Sequence, residues 1–424
     1  MNLSFRRFGA ALFLTLLLLV CPTSSEAFSV LAHQALVDQV WDKKLVPLIR
    51  QRFPNATQQD LADALANARG GSHLPDLGYF PLGNRLFTDV QHYVRTGDFV
   101  SRLMAEAKSA QEYAFALGVL AHYEADTIGH PLATNLAVPI LYPDLEAQYG
   151  DSVTYAQAPS AHLQTEFRFD VLQVAHRGEV PDLFEHSMQF QVPREFLDRV
   201  FKETYGLGLD DLFTNYDVAL GTYRWGFRVL IDETTGIAWQ LYRGDIETFE
   251  PGITHGNFLH AMSQNDFESE FGKAFLEPGY FVRFVSVITN ILPNVGPLAR
   301  LPYKPLPENV KLLYFSAFKK ASEHYRKDLK ESVKHRPWFP NLNFDTGTPD
   351  VPGTYPPADK AYADLLRRHA QDHFAHVPQA LADDMLRHFH YRDRALAFED
   401  DAKEREETLK ALTELEAKQR GSKP

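Results

Sequence analysis

Apolar residues recur at three-to-four spacing along most of the chain, and alternating runs of valine and isoleucine are scarce. The predicted elements are therefore helices. Residues 30–52 carry Val30, Leu31, Ala35, Leu36, Val40, Trp41, Leu45, Leu48 and Ile49 in that rhythm and stop before Pro54. Asn55-Ala56-Thr57 then opens a second helix over 58–68, for which Gly70 and Gly71 read as the stop. Four glycines and two prolines make 70–84 a structured connection. Helical patterns resume at 86–95 and 98–107. A longer one over 110–129 is halted by Pro131, and another begins near Pro159. The apolar stretch 280–292 contains Arg283 and ends at Pro293, so it reads as a buried helix and not a membrane span. Residues 336–358 hold six prolines and read as a long ordered loop. A helix pair over 359–395 and a highly charged helix over 399–418 close a mainly α chain with no internal repeat.

Composition narrows the function classes. The chain has 424 residues, 45% of them hydrophobic, which excludes a disordered or collagen-like protein. A formal charge of −12 repels polyanions and argues against a protein built to wrap nucleic acid, though not against a nuclease that grips phosphate through metal ions. The single cysteine, Cys21, rules out an intramolecular disulfide and a cysteine-based zinc site. Arg6 and Arg7, an eleven-residue apolar run over 10–20, and Ser25-Glu26-Ala27 have the form of an export signal cut after Ala27. A lipoprotein cut before Cys21 is the less favoured reading, because Val20 is bulky where a small residue is wanted. The expected location is therefore periplasmic or extracellular, with a mature chain starting at Phe28.

The strongest chemical signal is His122-Tyr-Glu-Ala-Asp126-Thr-Ile-Gly-His130. Steps of four advance about 40° around a helix, so three side chains share one face, and imidazole with carboxylate suits zinc. Pro131 disfavours helical geometry at His130 and places that residue at the helix end. The bland reading is a polar face with satisfied histidines. His162-Leu-Gln-Thr-Glu166 repeats the spacing, and Gly71-Ser-His-Leu-Pro-Asp76 puts an aspartate in a glycine-rich segment; helix-surface pair and turn aspartate are their bland readings. His33 and His92 are unremarkable alone. His369, His373 and His376 share a helix face without a carboxylate at a convincing spacing, so a solvated face or a domain contact is expected there. Trp225, Trp239 and Trp338 read as core or interface.

Taken in order, Phe28, His33, Asp76, His92, His122, Asp126, His130, His162 and Glu166 resemble the donor set of the zinc-dependent phospholipase C superfamily, which includes bacterial phospholipases C, glycosylphosphatidylinositol-specific phospholipase D and zinc-dependent single-strand nucleases. The Asp126-x3-His130 spacing, the Gly-Ser-x-x-Pro-Asp segment and the Ala-His-x3-acid-Phe segment at 161–167 look closer to the phospholipase D branch. Phenylalanine stands where the superfamily often has tryptophan.

The resemblance implies a multi-helix phospholipase C-like domain over 28–205 after a signal peptide over 1–27. A helical extension (206–335), the Pro-rich loop (336–358) and C-terminal helices with a charged tail (359–424) would follow. It implies three zinc ions: one on Asp76, His92, His122 and Asp126; a second on the Phe28 amine and carbonyl with His33 and a bridging Asp126; a third on His130, His162 and Glu166. Asp76 and Asp126 are the implied catalytic carboxylates, Asp76 as ligand or as base. The implied activity is attack of a metal-bound hydroxide on a phospholipid or glycolipid phosphodiester, with peripheral membrane contact and no stable nucleic-acid partner. A single-strand nuclease on the same core and a non-catalytic secreted binding protein are the alternatives.

Overall fold

The computed structural model describes residues 30–176, 190–249, 251–258, 305–334 and 337–421. The signal segment, Phe28, His186 and the apolar stretch 280–292 lie outside the described residues. Among the described residues there is no strand, and no helix is long and apolar enough to cross a membrane.

The longer helices are α1 (Val30–Val40), α2 (Gln58–His73), α3 (Arg85–Tyr93), α4 (Thr96–Glu106), α5 (Ala110–Gly129), α6 (Pro159–Ala175), α7 (Arg194–Tyr205), α8 (Tyr216–Phe249, kinked at Tyr242), α9 (Glu308–Lys334), α10 (Pro356–Ala370), α11 (Gln379–His388) and α12 (Ala402–Gly421). α5 is the central element. Its residues are buried nearly all round, and α1, α2, α4 and α9 pack against it. A helix buried on every side belongs in a core, and the polar groups it carries there, His122, Glu124 and Asp126, need partners inside the protein. α6 packs on α8 and α1, while α10 packs on α3 and α12. One continuous apolar cluster runs through these layers from Val30 to Leu415.

The C-terminal region is tied to the first half by polar contacts as well as packing. Tyr325 donates to the Leu117 carbonyl (2.9 Å), Tyr314 donates to Gln173 (2.7 Å), and the Tyr314 ring stacks on Phe169 at 4.8 Å. Buried hydroxyls need such partners, so each bond fixes α9 in register against α5 and α6.

Two local expectations change. The helix predicted over 30–52 is present but is interrupted by a π-helical turn, Trp41–Leu45. More informative is α2, which starts at a reciprocal Thr57–Asp60 capping box and runs through Gly70 and Gly71 to His73 instead of stopping there. The glycines serve close approach. A Cβ on Gly71 would lie 2.1 Å from the Phe115 carbonyl oxygen, and one on Gly118 of α5 would lie 1.9 Å from that of Ala68. The same signal that ends a helix at a C-cap here lets two helices touch backbone to backbone.

A prediction follows from that contact. Gly71→Ala gains about 1 kcal/mol of helix propensity but forces backbone apart, which costs about 3 kcal/mol or more. Net loss of about 2 kcal/mol or more in chemical denaturation is expected; equal or greater stability would mean that the helices can separate freely.

Candidate metal centre

The close helix crossing that these glycines permit places the first donors. His33 stands on α1, Asp76 on a 3-10 turn (Leu74–Tyr79), His92 in the last turn of α3, and His122 and Asp126 one turn apart on α5. All five are at most 1% exposed. Their donor atoms form two overlapping groups compact enough for a cation, His33–His122–Asp126 and Asp76–His92–His122.

Asp126 joins the groups. Its Oδ1 lies 2.7 Å from His33 Nε2, while its Oδ2 lies 3.0 Å from His122 Nε2 and 3.6 Å from His92 Nε2. The two oxygens of one carboxylate thus meet different histidines, with His122, whose ring stacks on His33 at 4.2 Å, shared by both groups. Asp76 Oδ1 sits 3.4 Å from His92 Nε2 and 3.9 Å from His122 Nε2.

A third group comes from His130, His162 and Glu166. His162 and Glu166 are one turn apart on α6, with His162 Nδ1 2.8 Å from Glu166 Oε1. His130 is at the end of α5, as Pro131 led one to expect, but its backbone remains helical (φ −57°, ψ −61°). The chain continues through a π-helical turn, His130–Thr134, because the wider turn accommodates a proline that has no N–H to donate. The His130 and His162 rings stack at 5.2 Å.

His92, His122 and His162 each have a second nitrogen hydrogen-bonded behind the ring, whereas His33 Nδ1 and both nitrogens of His130 have no hydrogen-bond partner among the described residues. His122 Nδ1 is 2.9 Å from the Ser72 carbonyl oxygen, His92 Nδ1 is 2.9 Å from that of Thr88, and His162 Nε2 is 2.8 Å from Asn135 Oδ1. An acceptor behind the ring fixes the tautomer and leaves the other nitrogen's lone pair facing forward, the arrangement metal-ligating histidines use.

The electrostatics agree with that reading. Burial, helped by the neighbouring His122 ring, lowers the His33 pKa below the ordinary imidazole value, and burial with the His130 ring takes His162 down to about 3. Both rings are therefore neutral and able to ligate. Burial opposes charge on His122 as well, but Asp126 and Asp76 carry its pKa up to about 9, so positive charge is favoured between those carboxylates. Burial would raise the Asp126 pKa, yet the His122 and His33 rings hold it well below the usual carboxylate range.

Whether a cation fits can be tested on the hydrogen bonds. Among the described residues, neither oxygen of Asp76 accepts a hydrogen bond, although its side chain is fully buried; Asp126 Oδ2, His122 Nε2 and His130 Nδ1 are likewise without one. Burying a carboxylate so costs several kcal/mol unless opposite charge meets it. Divalent cations at these positions would satisfy all of these atoms together, and the nitrogen and oxygen donors are those zinc takes.

The sequence reasoning missed one member of the site. The Pro-rich loop folds back as a strap over the donors. Phe344 packs on the rings of His92 (5.0 Å) and His122 (5.8 Å), and its N–H donates to the His92 carbonyl oxygen at 3.1 Å. The next residue, Asp345, is fully buried, with Oδ1 3.0 Å from His130 Nε2. Asn343 Oδ1 accepts from the N–H groups of Asp345 and Thr346, an Asx turn that aims the Asp345 side chain inward. A cleft of about 410 Å³ is lined by Arg85, Asp89 and Tyr155 from the first half and Lys360 and Glu399 from the second; none of the donors lines it, and Tyr155, whose ring lies 6.1 Å from that of His162, is its link to the third group.

His369 and His373 behave as the bland reading of their helix has it. His369 is buried and bonds to the Tyr205 carbonyl oxygen at 2.8 Å, whereas His373 is exposed beside Glu414, so the two point to different surroundings. His73 packs between Phe190 and Phe227 with its Nε2 3.1 Å from Gln34 Oε1. Trp338, expected in a core or interface, is 74% exposed.

Of the nine donors implied by the sequence, eight lie in these three groups, and Phe28 falls outside the described residues. Comparison with known proteins adds one finding: residues 32–215 match the family model described as zinc dependent phospholipase C. No curated protein and no solved structure matches the chain.

Proposed function

Because residues 32–215 belong to the zinc-dependent phospholipase C family, we propose that the chain is an exported hydrolase that holds three zinc ions and cleaves a phospholipid or glycolipid phosphodiester. The observation that carries the reading is Asp126, one of whose oxygens meets His33 while the other meets His92 and His122. Such a carboxylate can bridge two cations.

Zinc at these positions would supply Lewis acidity to a phosphoryl oxygen and bring the pKa of an attacking water toward about 7. The chain's own groups do the rest. His33, His92, His122 and Asp126 would hold the paired ions, and the amine and carbonyl of a processed chain starting at Phe28 would be further ligands for the His33 ion. Asp76, which accepts no hydrogen bond, ligates the first ion or takes the proton of the attacking water. His130, His162 and Glu166 hold a third positive centre for the charge that develops on the phosphate or on the leaving oxygen. Phe344 covers the rings and keeps bulk water out, which strengthens every charge interaction beneath it. The cleft beside Arg85 and Tyr155 would receive the head group.

Residues 28–205 would form the catalytic unit, released by cleavage after Ala27, and the later helices would close over it. The spacing of Asp126 and His130 favours the phospholipase D branch. Assay of the zinc-loaded, processed protein on short-chain phosphatidylcholine, phosphatidylinositol and single-stranded DNA tests the substrate class. Lipid hydrolysis that stops on chelation and returns with zinc is expected. Cleavage of DNA alone would replace the lipid reading with a nuclease, and bound zinc without hydrolysis of any phosphodiester would leave a binding protein.

A further inference from the structure

The Pro-rich loop lies well beyond the family-matched residues, yet it delivers a buried carboxylate to one of the donor groups. His130 presents its nitrogens in opposite directions. Nδ1 faces Glu166 Oε1 at 4.0 Å, and Nε2 lies at ion-pair distance, 3.0 Å, from Asp345 Oδ1, neither of those last two atoms having a hydrogen-bond partner among the described residues. His92, His122 and His162 each keep one nitrogen for the site and one for an acceptor behind the ring, and for His130 the group behind the ring is Asp345. We propose that Asp345 is a positioning residue for the third metal: it orients His130 through Nε2 and leaves Nδ1 to ligate beside His162 and Glu166.

The surroundings of Asp345 are built for that task. Its Oδ2 accepts hydrogen bonds from Tyr93 (2.7 Å) and Tyr355 (2.5 Å), which leaves Oδ1 turned toward His130. Burial raises the pKa of both tyrosines well above the ordinary value, so their hydroxyls remain donors. Asn135 couples the two histidines of the group: its Oδ1 meets His162 Nε2, and its amide N–H donates to the Asp345 backbone oxygen at 3.0 Å. Two phenols thus hold one oxygen of the carboxylate and an amide holds the residue's backbone, which leaves Oδ1 for His130. A carboxylate behind a ligating histidine raises its basicity and sets its ring angle, and losing such a partner typically weakens metal retention about 10- to 100-fold.

This inference rests on the zinc reading above, and the test separates the two. Full-length processed protein and its Asp345→Asn variant are loaded with zinc and titrated with a competing chelator, and bound zinc is counted at each step. Asparagine keeps the size and one oxygen, so the metal-free circular dichroism spectrum should match. The expected result is that one zinc leaves Asp345→Asn at about 10- to 100-fold lower chelator strength than in the parent, while the other ions leave together with those of the parent. In a His130→Ala background the same substitution should add no further loss. Should Asp345→Asn fail to fold, Tyr355→Phe, which keeps the carboxylate but removes one hydroxyl, should show a few-fold weaker retention. Unchanged retention in the folded variant, or full additivity with His130→Ala, overturns the role of Asp345. Failure of the parent protein to take up zinc overturns the zinc reading itself.

Discussion

Asp126→Asn is expected to lower phosphodiester hydrolysis by at least about 10³-fold, the scale on which loss of a group central to catalysis is felt. The substitution keeps the shape of the side chain but replaces an anion, whose two oxygens meet different histidines, with a neutral amide. One oxygen remains for His33 or for His92 and His122, not for both. The amide's N–H group would meet either His33 Nε2 or a cation, and a cation repels it. Two effects add: loss of the negative charge that offsets paired divalent ions, and loss of the link that keeps them close enough to share a substrate oxygen. The assay is turnover of a short-chain phospholipid with bound zinc measured on the same sample. Retained activity within about tenfold of the parent would remove Asp126 from the centre of the mechanism.

The second large effect concerns the start of the mature chain. If cleavage after Ala27 exposes the Phe28 amine, His33 lies five residues away and can share a cation with it. A free α-amine has a pKa near 8 and can give up its proton to bind metal, whereas an amide nitrogen cannot ligate in that way. Protein that keeps one additional Met before Phe28 should therefore lose an ion on the His33 side and fall about 100-fold or more in activity, because one of two paired ions is affected. Its fold should remain, since the apolar cluster from Val30 onward is unchanged in sequence. Equal activity and equal zinc content in the two forms would mean that the terminus is not a ligand.

Much of the site is readable in the sequence because helices impose a short-range geometry on it. His122 and Asp126, and again His162 and Glu166, are neighbours simply by lying four residues apart on α5 and α6. Pro131 likewise marks where His130 leaves the regular helix. Asp345 carries no such mark. It sits in a loop with no periodicity, its partners Tyr93, His130 and Asn135 are far away in the chain, and a turn aspartate is an ordinary thing to find there. Gly70 and Gly71 fail for a different reason. A glycine pair reports only that a side chain is excluded, and the cause, a C-cap or the carbonyl oxygens of Gln191 beside Gly70 and of Phe115 beside Gly71, is a tertiary fact. The close approach also serves the site, because the Ser72 carbonyl that orients His122 lies on the stretch of α2 held against α5. A larger residue at position 71 should therefore disturb the histidine as well as the packing.

The central claim is that buried imidazoles and carboxylates on α1, α3, α5, α6 and the turn bearing Asp76 hold divalent cations. Elemental analysis of the correctly processed, extensively dialysed protein tests it most directly. The account predicts about three zinc ions per chain, removable by a strong chelator together with hydrolysis of the phosphodiester and restored with it. Protein that retains no zinc after loading, or that turns over its substrate equally fast once stripped of metal, would contradict it.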